Sequence, residues 1–316
     1  MLPNLVQQHL DFIVFILALL GERFLPLVSW YHPNTFLTAV FSALGKRVYR
    51  KNETNSYQYF SSTFCFSLVL LVIMTLVILL VEFAYYPELL AGLILYLTLE
   101  WRSVENKALR IARLLKQNQK ATARELLKPL LARDVNKLSS PGICKAVMET
   151  LILRVARHYF SVIFIYLLFG PMAALAYRLL TLTHQAWRRD ILPNSPFLKS
   201  VSLLLFLIEW LPTRLLALTI AASKASKLSF HYIKHYGRHF YQTNSGWLLS
   251  CCSASLGVQL GGPAMYQGVR FDKMRIGTER LPQADDIPVL LNRLNQARGF
   301  WLLVIFGIEL VNLITA

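Results

Sequence analysis

The residues best suited to bind a ligand lie in a glycine-rich stretch near the carboxy-terminal end of the chain. Gly261 and Gly262 precede Pro263, and glycine permits backbone conformations in which successive N–H groups point at an anion. Arg270 and Arg275 add positive charge. The pattern predicts a site for an anionic group, a phosphate above all, while a tight turn that only packs helices is the alternative. The other predicted ligand-binding residues are Asn244, Tyr266, Gly268, Asp272, Lys273 and Gly277.

Two ionisable residues, Glu209 and Arg214, lie within the apolar run from Val201 to Ala222. Charged side chains inside a membrane span are costly, so they indicate either a mutual ion pair or a function. Pro212 lies between them and is expected to kink the helix. The sequence favours neither the structural ion pair nor a functional role.

A metal site is not predicted. His231, His235 and His239 recur at a spacing of four and would share a helical face, but no carboxylate or cysteine accompanies them. The aromatic residues between them fit an interfacial belt better. No Cys-x-x-Cys spacing exists, so we expect packed thiols at all four cysteines, which are Cys65, Cys144, Cys251 and Cys252.

The elements that carry these residues are apolar helices. Of the 316 residues, 55% are hydrophobic and only 16% are charged, and the mean hydropathy is +0.45. These values predict an all-α, polytopic integral membrane protein with about five to six membrane helices. The first and third predicted spans are short. The spans are Gln7 to Leu20, Phe60 to Val81, Tyr86 to Glu100, Tyr159 to Leu182, Val201 to Ala222 and Phe300 to Ile314.

The net charge of +16 is explained by membrane topology and not by a nucleic-acid partner. Of the 33 Lys and Arg residues, 27 lie in Lys46–Lys51, Arg102–Arg157 and Lys224–Arg298. Crossing the membrane at each predicted span places all three segments on one side, the cytoplasmic one. We therefore predict a single membrane domain over 1–316 in contact with membrane lipid, with a basic cytoplasmic helical segment at 101–157. A second cytoplasmic segment, 223–298, carries the Gly-Gly-Pro loop.

One further segment agrees with this topology, and three basic residues disagree with it. The turn between the second and third spans, Ala84 to Glu88, has no positive charge and is expected outside. Arg188, Arg189 and Lys199 would also lie outside. Either the span before them is not a simple crossing, or the charge rule is broken there.

Several motifs resemble those of the CobD/CbiB family, membrane enzymes known as adenosylcobinamide-phosphate synthase. The resemblance implies a multi-pass protein of the bacterial inner membrane. It also implies an ATP-dependent amide ligation that joins aminopropanol or its phosphate to adenosylcobyric acid, with Mg-ATP as cofactor and a corrinoid or another phosphate-bearing small molecule as ligand. The motifs are Asn244 to Trp247, Leu256 to Pro263, Tyr266, Gly268, Asp272-Lys273 and Ile276-Gly277, with Arg133-Asp134, Glu149-Thr150, Ala176-Tyr177 and Leu211-Pro212 upstream.

The sequence departs from the family pattern where the resemblance expects carboxylates and amides. Arginines at such positions would repel Mg²⁺, which prefers oxygen ligands. The surviving candidates for catalysis are Arg133, Asp134 and Glu149. A degraded catalytic site, and hence a pseudoenzyme, is predicted, and whether ligation survives stays open. The replaced positions are Leu153, Arg154, Arg157, Thr181, His184, Leu205 and Phe206.

The middle of the chain resembles AmpE, a relative in the same superfamily that is associated with β-lactamase regulation. This likeness is carried by Arg157, Tyr159, Trp187 and the run from Trp210 to Leu215, with Glu22-Arg23 near the start. It implies the alternative function, a non-catalytic membrane regulator or sensor. The sequence indicates no particular protein partner.

Overall fold

The computed structural model describes residues 10–27 and 31–315, and all of their side chains except those of 223, 224 and 313–315. The protein is mostly helical, with four short strands. The helices are α1 (Leu10–Phe24), α2 (Pro33–Val48), α3 (Asn55–Glu82), α4 (Pro87–Thr98), α5 (Arg102–Lys116), α6 (Lys120–Leu127), α7 (Ser140–Val155), α8 (Ser161–Asp190), α9 (Pro196–Ile208), α10 (Trp210–Lys224), α11 (Ser226–Tyr232), α12 (Thr243–Leu256) and α13 (Asp286–Thr315). A 3₁₀ turn covers Lys128–Leu130, and π-helical turns cover Ala156–Phe160 and Ile233–Gly237.

The chain divides into two compact units. Unit 1 contains Met1–Val104 and Arg157–Glu209, and unit 2 contains Glu105–Ala156 and Trp210–Ala316. Each unit is built from segments that are distant in sequence, so both depend on long-range packing. The single membrane domain stays a prediction.

The core of unit 1 is formed by side chains from different helices. The ring of Trp187 in α8 lies 4.7 Å from that of Phe197 in α9, and its Nε1 donates to the carbonyl of Phe41 at 2.9 Å. Phe15 of α1 stacks on Tyr166 of α8 with centroids 5.8 Å apart. Because the partners lie on separate helices, burial of apolar surface and not local propensity stabilises this unit.

Helix α8 is interrupted at Gly170, where φ is 80° and ψ is −177°. Residues with a side chain avoid this region of backbone space, and Pro171 cannot donate a helical hydrogen bond. The Tyr177 hydroxyl donates to the carbonyl of Arg157 at 3.0 Å, although 20 residues separate them. A straight helix would hold them about 30 Å apart. The chain therefore folds back on itself at Gly170.

In unit 2, Ser139 caps the start of helix α7. The Ser139 hydroxyl accepts the N–H of Gly142 at 3.3 Å, and Pro141 occupies the first turn. This cap satisfies a backbone donor that the helix itself cannot. The unit buries side chains of α7 together with those of α13, among them Ile143, Met148, Leu290 and Leu294.

The four strands lie in the glycine-rich stretch of unit 2 and were not predicted. β1 (Leu260–Gly261) pairs with β4 (Arg275–Ile276), and β2 (Ala264–Tyr266) pairs with β3 (Val269–Phe271), both antiparallel. The strands have two or three residues, too few to show an alternating pattern in the sequence. The all-α prediction thus describes the helices and omits this part of the fold.

Three helical segments are long and apolar enough to cross a membrane, and a fourth arises if a bent pair forms one span. The predicted spans at Gln7 to Leu20, which begins outside the described residues, and at Tyr86 to Glu100 correspond to α1 and α4, of 15 and 12 residues. The described residues therefore contain three to four candidate spans, where about five to six were predicted for the chain. The segments are Asn55–Glu82, Ser140–Asp190 and Asp286–Asn312, and the pair is Pro196–Ile208 with Trp210–Ala222.

Candidate functional site

The glycine segment, residues 257–277, is joined to the loop before α7 by two backbone contacts. The Asp134 N–H donates to the carbonyl of Met265 at 2.9 Å, and the Gly268 N–H donates to the Asp134 carboxylate at 2.9 Å. The carboxylate thus fixes the turn between β2 and β3. Gln267 and Gly268 have φ of 50° and 75°, as in the type I′ turns that suit two-residue hairpins.

The two glycines predicted to cradle a phosphate use their N–H groups inside the protein. The Gly261 N–H donates to the Glu149 carboxylate at 2.8 Å, and the Gly262 N–H donates to the carbonyl of Met274 at 3.0 Å. Their φ angles are 69° and 89°, so glycine is required for conformation. These donors are occupied, and an anion here has to be held by side chains.

Gly277 serves close packing. Its φ is 99°, and a Cβ there would collide with the Ser253 hydroxyl and the carbonyl of Val258. The Ser253 hydroxyl donates to that same carbonyl at 2.6 Å. This part of the segment therefore matches the tight-turn alternative.

The other predicted ligand-binding residues also contact one another. Lys273 donates to the Tyr266 hydroxyl at 2.7 Å, and its ammonium lies 5.1 Å from the Tyr241 ring centroid, a cation–π geometry. The Asp272 carboxylate accepts from Arg270 at 2.8 Å. Arg275 lies exposed on β4. The hydroxyl and carboxylate thus have partners within the segment.

The catalytic candidates form one connected group. Arg133 lies 3.3 Å from Glu149 between Nη1 and Oε2, and the other oxygen of Glu149 accepts from Gly261. The Nε of Arg133 is buried and has no hydrogen-bond partner among the described residues. A ligand cannot reach this buried nitrogen, so Arg133 can contribute its positive charge but not this donor.

A pocket of about 470 Å³, the loop pocket, opens beside this group. Three cationic side chains line it, those of Arg133, Lys137 and Arg270, against the single carboxylate of Asp134. Pro263 lines it as well. The excess of positive charge suits a phosphate or carboxylate ligand. Sequence reasoning missed Lys137, although it lies four residues after Arg133 in the same basic loop.

These residues do not fit a Mg²⁺ ion well. Magnesium prefers octahedral coordination by oxygen, whereas both oxygens of Glu149 are engaged and Asp134 accepts from Gly268. Three cations share the pocket with them. In the described part of the chain, no group of three or more His, Cys, Asp or Glu residues could hold a metal.

The replaced positions of unit 1 make internal contacts. Both oxygens of Glu209 accept from Arg157, at 2.7 and 3.0 Å, and Oε1 also accepts from the Tyr177 hydroxyl at 3.0 Å. Thr181 donates to the carbonyl of Arg178 at 2.7 Å. His184 is buried. Each polar group serves the helix bundle.

Three further replaced positions are Leu205, Phe206 and Arg154. Leu205 is buried and Phe206 is exposed in unit 1. Arg154, in unit 2 with Leu153, donates to the carbonyl of Leu130 at 3.2 Å. An arginine at this position thus ties α7 to the preceding 3₁₀ turn.

Glu209 and Arg214 each have a partner that the sequence did not indicate. Glu209 accepts from Arg157, which lies 52 residues earlier. Arg214 donates to the Asn244 side chain at 2.6 Å and lies between the rings of Trp210 and Trp247, at 4.7 and 4.9 Å. Asn244 therefore holds an arginine, and the loop pocket is lined by other residues.

The histidines and cysteines behave as structural groups. The rings of His231 and His235 stack at 4.0 Å, and His235 Nδ1 lies 3.0 Å from the carbonyl of His231. All four cysteines are buried free thiols. Burial raises the pKa of Cys251 to about 12, so this thiol stays protonated at neutral pH.

Comparison with known proteins places this geometry in context. A family model described as CobD/Cbib protein matches residues 15–293. The Cobalamin biosynthesis protein CobD of Stutzerimonas stutzeri (strain A1501) is 26% identical over 294 residues, which cover 92% of this chain and 94% of that protein.

Two enterobacterial relatives match a shorter part. The Cobalamin biosynthesis protein CbiB of Salmonella typhimurium (strain LT2) is 30% identical over 206 residues, 61% of this chain and 62% of its own. The Cobalamin biosynthesis protein CobD of Yersinia enterocolitica is 31% identical over 202 residues, 61% of this chain and 63% of its own. No solved structure matches the chain.

Proposed function

Because the chain belongs to the CobD/CbiB family, we propose that it binds a phosphate-bearing small molecule of cobalamin biosynthesis in the loop pocket. We also propose that it is a multi-pass protein of the bacterial inner membrane and that it does not form the amide bond made by the synthase. The observation that carries the binding proposal is the cationic lining of the pocket, with three basic side chains against one carboxylate.

A phosphate fits this lining mainly through Lys137. Its oxygens can accept from the exposed ammonium of Lys137 in charge-assisted hydrogen bonds, which are about twice as strong as neutral ones. Two of the three cations already have carboxylate partners, Arg133 with Glu149 and Arg270 with Asp272. The charge of the phosphate is therefore matched mainly by Lys137.

The carboxylates at this site also speak against ligation. When bound, Mg-ATP would activate the carboxyl group of adenosylcobyric acid for attack by the amine. That chemistry depends on carboxylates able to coordinate a hard cation. Glu149 is engaged by Arg133 and Gly261, and arginines stand at positions 154 and 157. The carboxylates present at this site therefore do not fit Mg-ATP.

Binding is tested with purified protein in detergent by isothermal titration. Aminopropanol phosphate should bind, and aminopropanol, its cationic counterpart without phosphate, should bind at least ten times more weakly. Lys137→Ala should weaken the phosphate compound several-fold, and Lys120→Ala, an exposed lysine of α6 that does not line the pocket, should leave it unchanged. Equal affinity for the two compounds, or equal effects of the two variants, would contradict the proposal.

The ligation itself is assayed with adenosylcobyric acid, aminopropanol phosphate and Mg-ATP. We expect no amide product above the background without protein. Product formation that is lost in both Asp134→Ala and Glu149→Ala would show that the family activity persists and that our proposal is wrong.

The regulator or sensor is the alternative that the resemblance to AmpE implies. The contacts of Arg157 with Glu209 and of Trp187 with Phe41 are consistent with a structural role for these residues. A folded protein that binds neither aminopropanol phosphate nor adenosylcobyric acid would favour this function over ligand binding in cobalamin biosynthesis.

A further inference from the structure

The reversal at Gly170 changes how the middle of the chain relates to the membrane. Besides the contact of Tyr177 with Arg157, the guanidinium of Arg178 contacts the ring of His158. Arg178 also donates to Glu100 at 2.5 Å, and the Glu100 N–H donates to the carbonyl of His158. Two successive residues of the second arm thus meet two successive residues of the first. The second arm therefore returns beside the start of the first, and its last turns continue past that point to Asp190.

The end of this hairpin is apolar and exposed. Leu167, Leu168 and Phe169 are 46%, 57% and 71% exposed, and no charged residue occurs from 159 to 177. In water such a tip would be an uncompensated apolar patch. In a protein with apolar candidate spans, lipid acyl chains are the partner whose chemistry fits it.

The two bases of the hairpin are basic. Arg157 lies at the start of the first arm, and Arg188 and Arg189 lie in the last turn of the second. The geometry points to a membrane hairpin, residues 157–190, whose two ends emerge on the same face of the membrane while Leu167–Phe169 contact lipid at its tip. This inference goes beyond the proposed function, because it concerns topology and lipid contact and no ligand.

The hairpin resolves the disagreement found in the sequence. A single crossing would separate Arg188, Arg189 and Lys199 from the basic segment Arg102–Arg157. With both ends on one face, these residues join it, as the preference of Lys and Arg for the cytoplasmic side requires. Arg188, Arg189 and Lys199 then share one side with the 13 Lys and Arg residues of Arg102–Arg157.

Single-cysteine labelling tests the two ends. The natural cysteines are buried, so a membrane-impermeant maleimide reports the introduced residue. Asn194→Cys, in the exposed loop after α8, should label like Lys120→Cys, only after the membrane is permeabilised, whereas Glu88→Cys should label in intact cells. Lys199→Cys, at an exposed position in the first turn of α9, is a second reporter of the same side. Labelling of the 194 or 199 cysteine on the side opposite to 120 would overturn the hairpin, whatever the absolute orientation.

A spin label tests the tip. A nitroxide at Phe169→Cys in liposomes should collide more often with O₂, which concentrates in lipid, than with a water-soluble nickel chelate. The same label at Asn194→Cys should show the opposite order. Preferential collision with the nickel chelate at position 169 would show that the tip is in water and would overturn the lipid contact. Neither measurement involves a ligand, so both stand apart from the binding and ligation assays.

Discussion

Each unit of this protein contains an arginine paired with a glutamate, and the two pairs differ in what else they contact. In unit 1, Arg157 occupies both oxygens of Glu209, and Tyr177 adds a third donor. In unit 2, Arg133 contacts Glu149 beside an open pocket and keeps one donor unpartnered among the described residues.

Burial does not separate the two pairs. The Arg133 side chain is 9% exposed and that of Arg157 is 20% exposed. What differs is how completely the hydrogen-bonding groups are satisfied. A fully satisfied pair stabilises the fold, whereas an arginine that also lines a pocket can contribute its charge to a ligand. We therefore expect a structural role for Arg157, which stands at a replaced family position, and we propose a binding role for Arg133.

The largest effect is expected in unit 1. Arg157→Leu leaves the buried Glu209 without its charge partner, so the free energy of unfolding should fall by about 3–5 kcal/mol. The double variant Arg157→Leu with Glu209→Leu should recover most of this loss, because no unpaired charge remains. Denaturant unfolding in detergent measures both. A double variant as unstable as the single one would argue against a structural pair.

The next largest effect tests the close packing around Gly277 in unit 2. Gly277→Ala adds a Cβ that meets Ser253 and Val258 at a φ of 99°, so we expect a loss of stability of about 1–3 kcal/mol. Gly268→Asn is the matched control, because φ is 75° there with no atom near a Cβ, and asparagine tolerates this conformation. Equal unfolding midpoints for the two variants would remove close packing as the reason for Gly277.

Arg133 should also matter for the ligand. Arg133→Gln removes a positive charge that lines the loop pocket, and we expect affinity for aminopropanol phosphate to fall about tenfold, equivalent to about 1.4 kcal/mol. Glu149 keeps the Gly261 N–H, so the stability loss should be smaller than that of Arg157→Leu. Titration calorimetry and denaturant unfolding on the same preparation provide the two numbers. If Arg133→Gln lowers the free energy of unfolding as much as Arg157→Leu does and leaves the affinity for aminopropanol phosphate unchanged, the two arginines do not differ in role.

The smallest effect is a pH dependence in unit 1. Burial lowers the pKa of His32 from its ordinary value of 6.5, so the folded state favours the neutral ring. Its contribution to stability is therefore fully present above pH 6.5 and is lost as the pH falls below that value, where the unfolded chain takes up the proton. His32 Nδ1 accepts the N–H of Asn34 at the start of α2, and His32→Asn preserves such a cap. Thermal unfolding between pH 5 and 8 should be flatter for this variant. An unchanged profile would assign the dependence to another group.

The sequence predicts those features that depend on near neighbours. The charge-free run at Phe60 identifies α3, and Ser139 with Pro141 identifies the start of α7. The glycine segment is recognisable as a ligand or turn element from its composition. Gly170-Pro171 is also a turn signal, but the apolar run around it outweighed this signal, and a simple crossing was one of the two explanations that the charges left open.

Contacts between residues that are far apart in the sequence could not be predicted. Glu149 contacts Gly261 across 112 residues of chain, and Arg157 contacts Glu209 across 52. A single sequence does not show which of its distant residues pair. For the same reason the glycine N–H groups looked free for a phosphate. Their occupation could be seen only once the partner carboxylate was placed beside them.

The carboxylate of Glu22 has a consequence for the order of folding. It accepts the N–H groups of Trp101 and Arg102 at 2.8 and 2.6 Å, where α5 begins, across about 80 residues of chain. Helix α5 is therefore not capped by this carboxylate until α1 has reached it, and such a non-local contact is expected to form late, after the transition state. Glu22→Gln should then accelerate unfolding while leaving the refolding rate nearly unchanged.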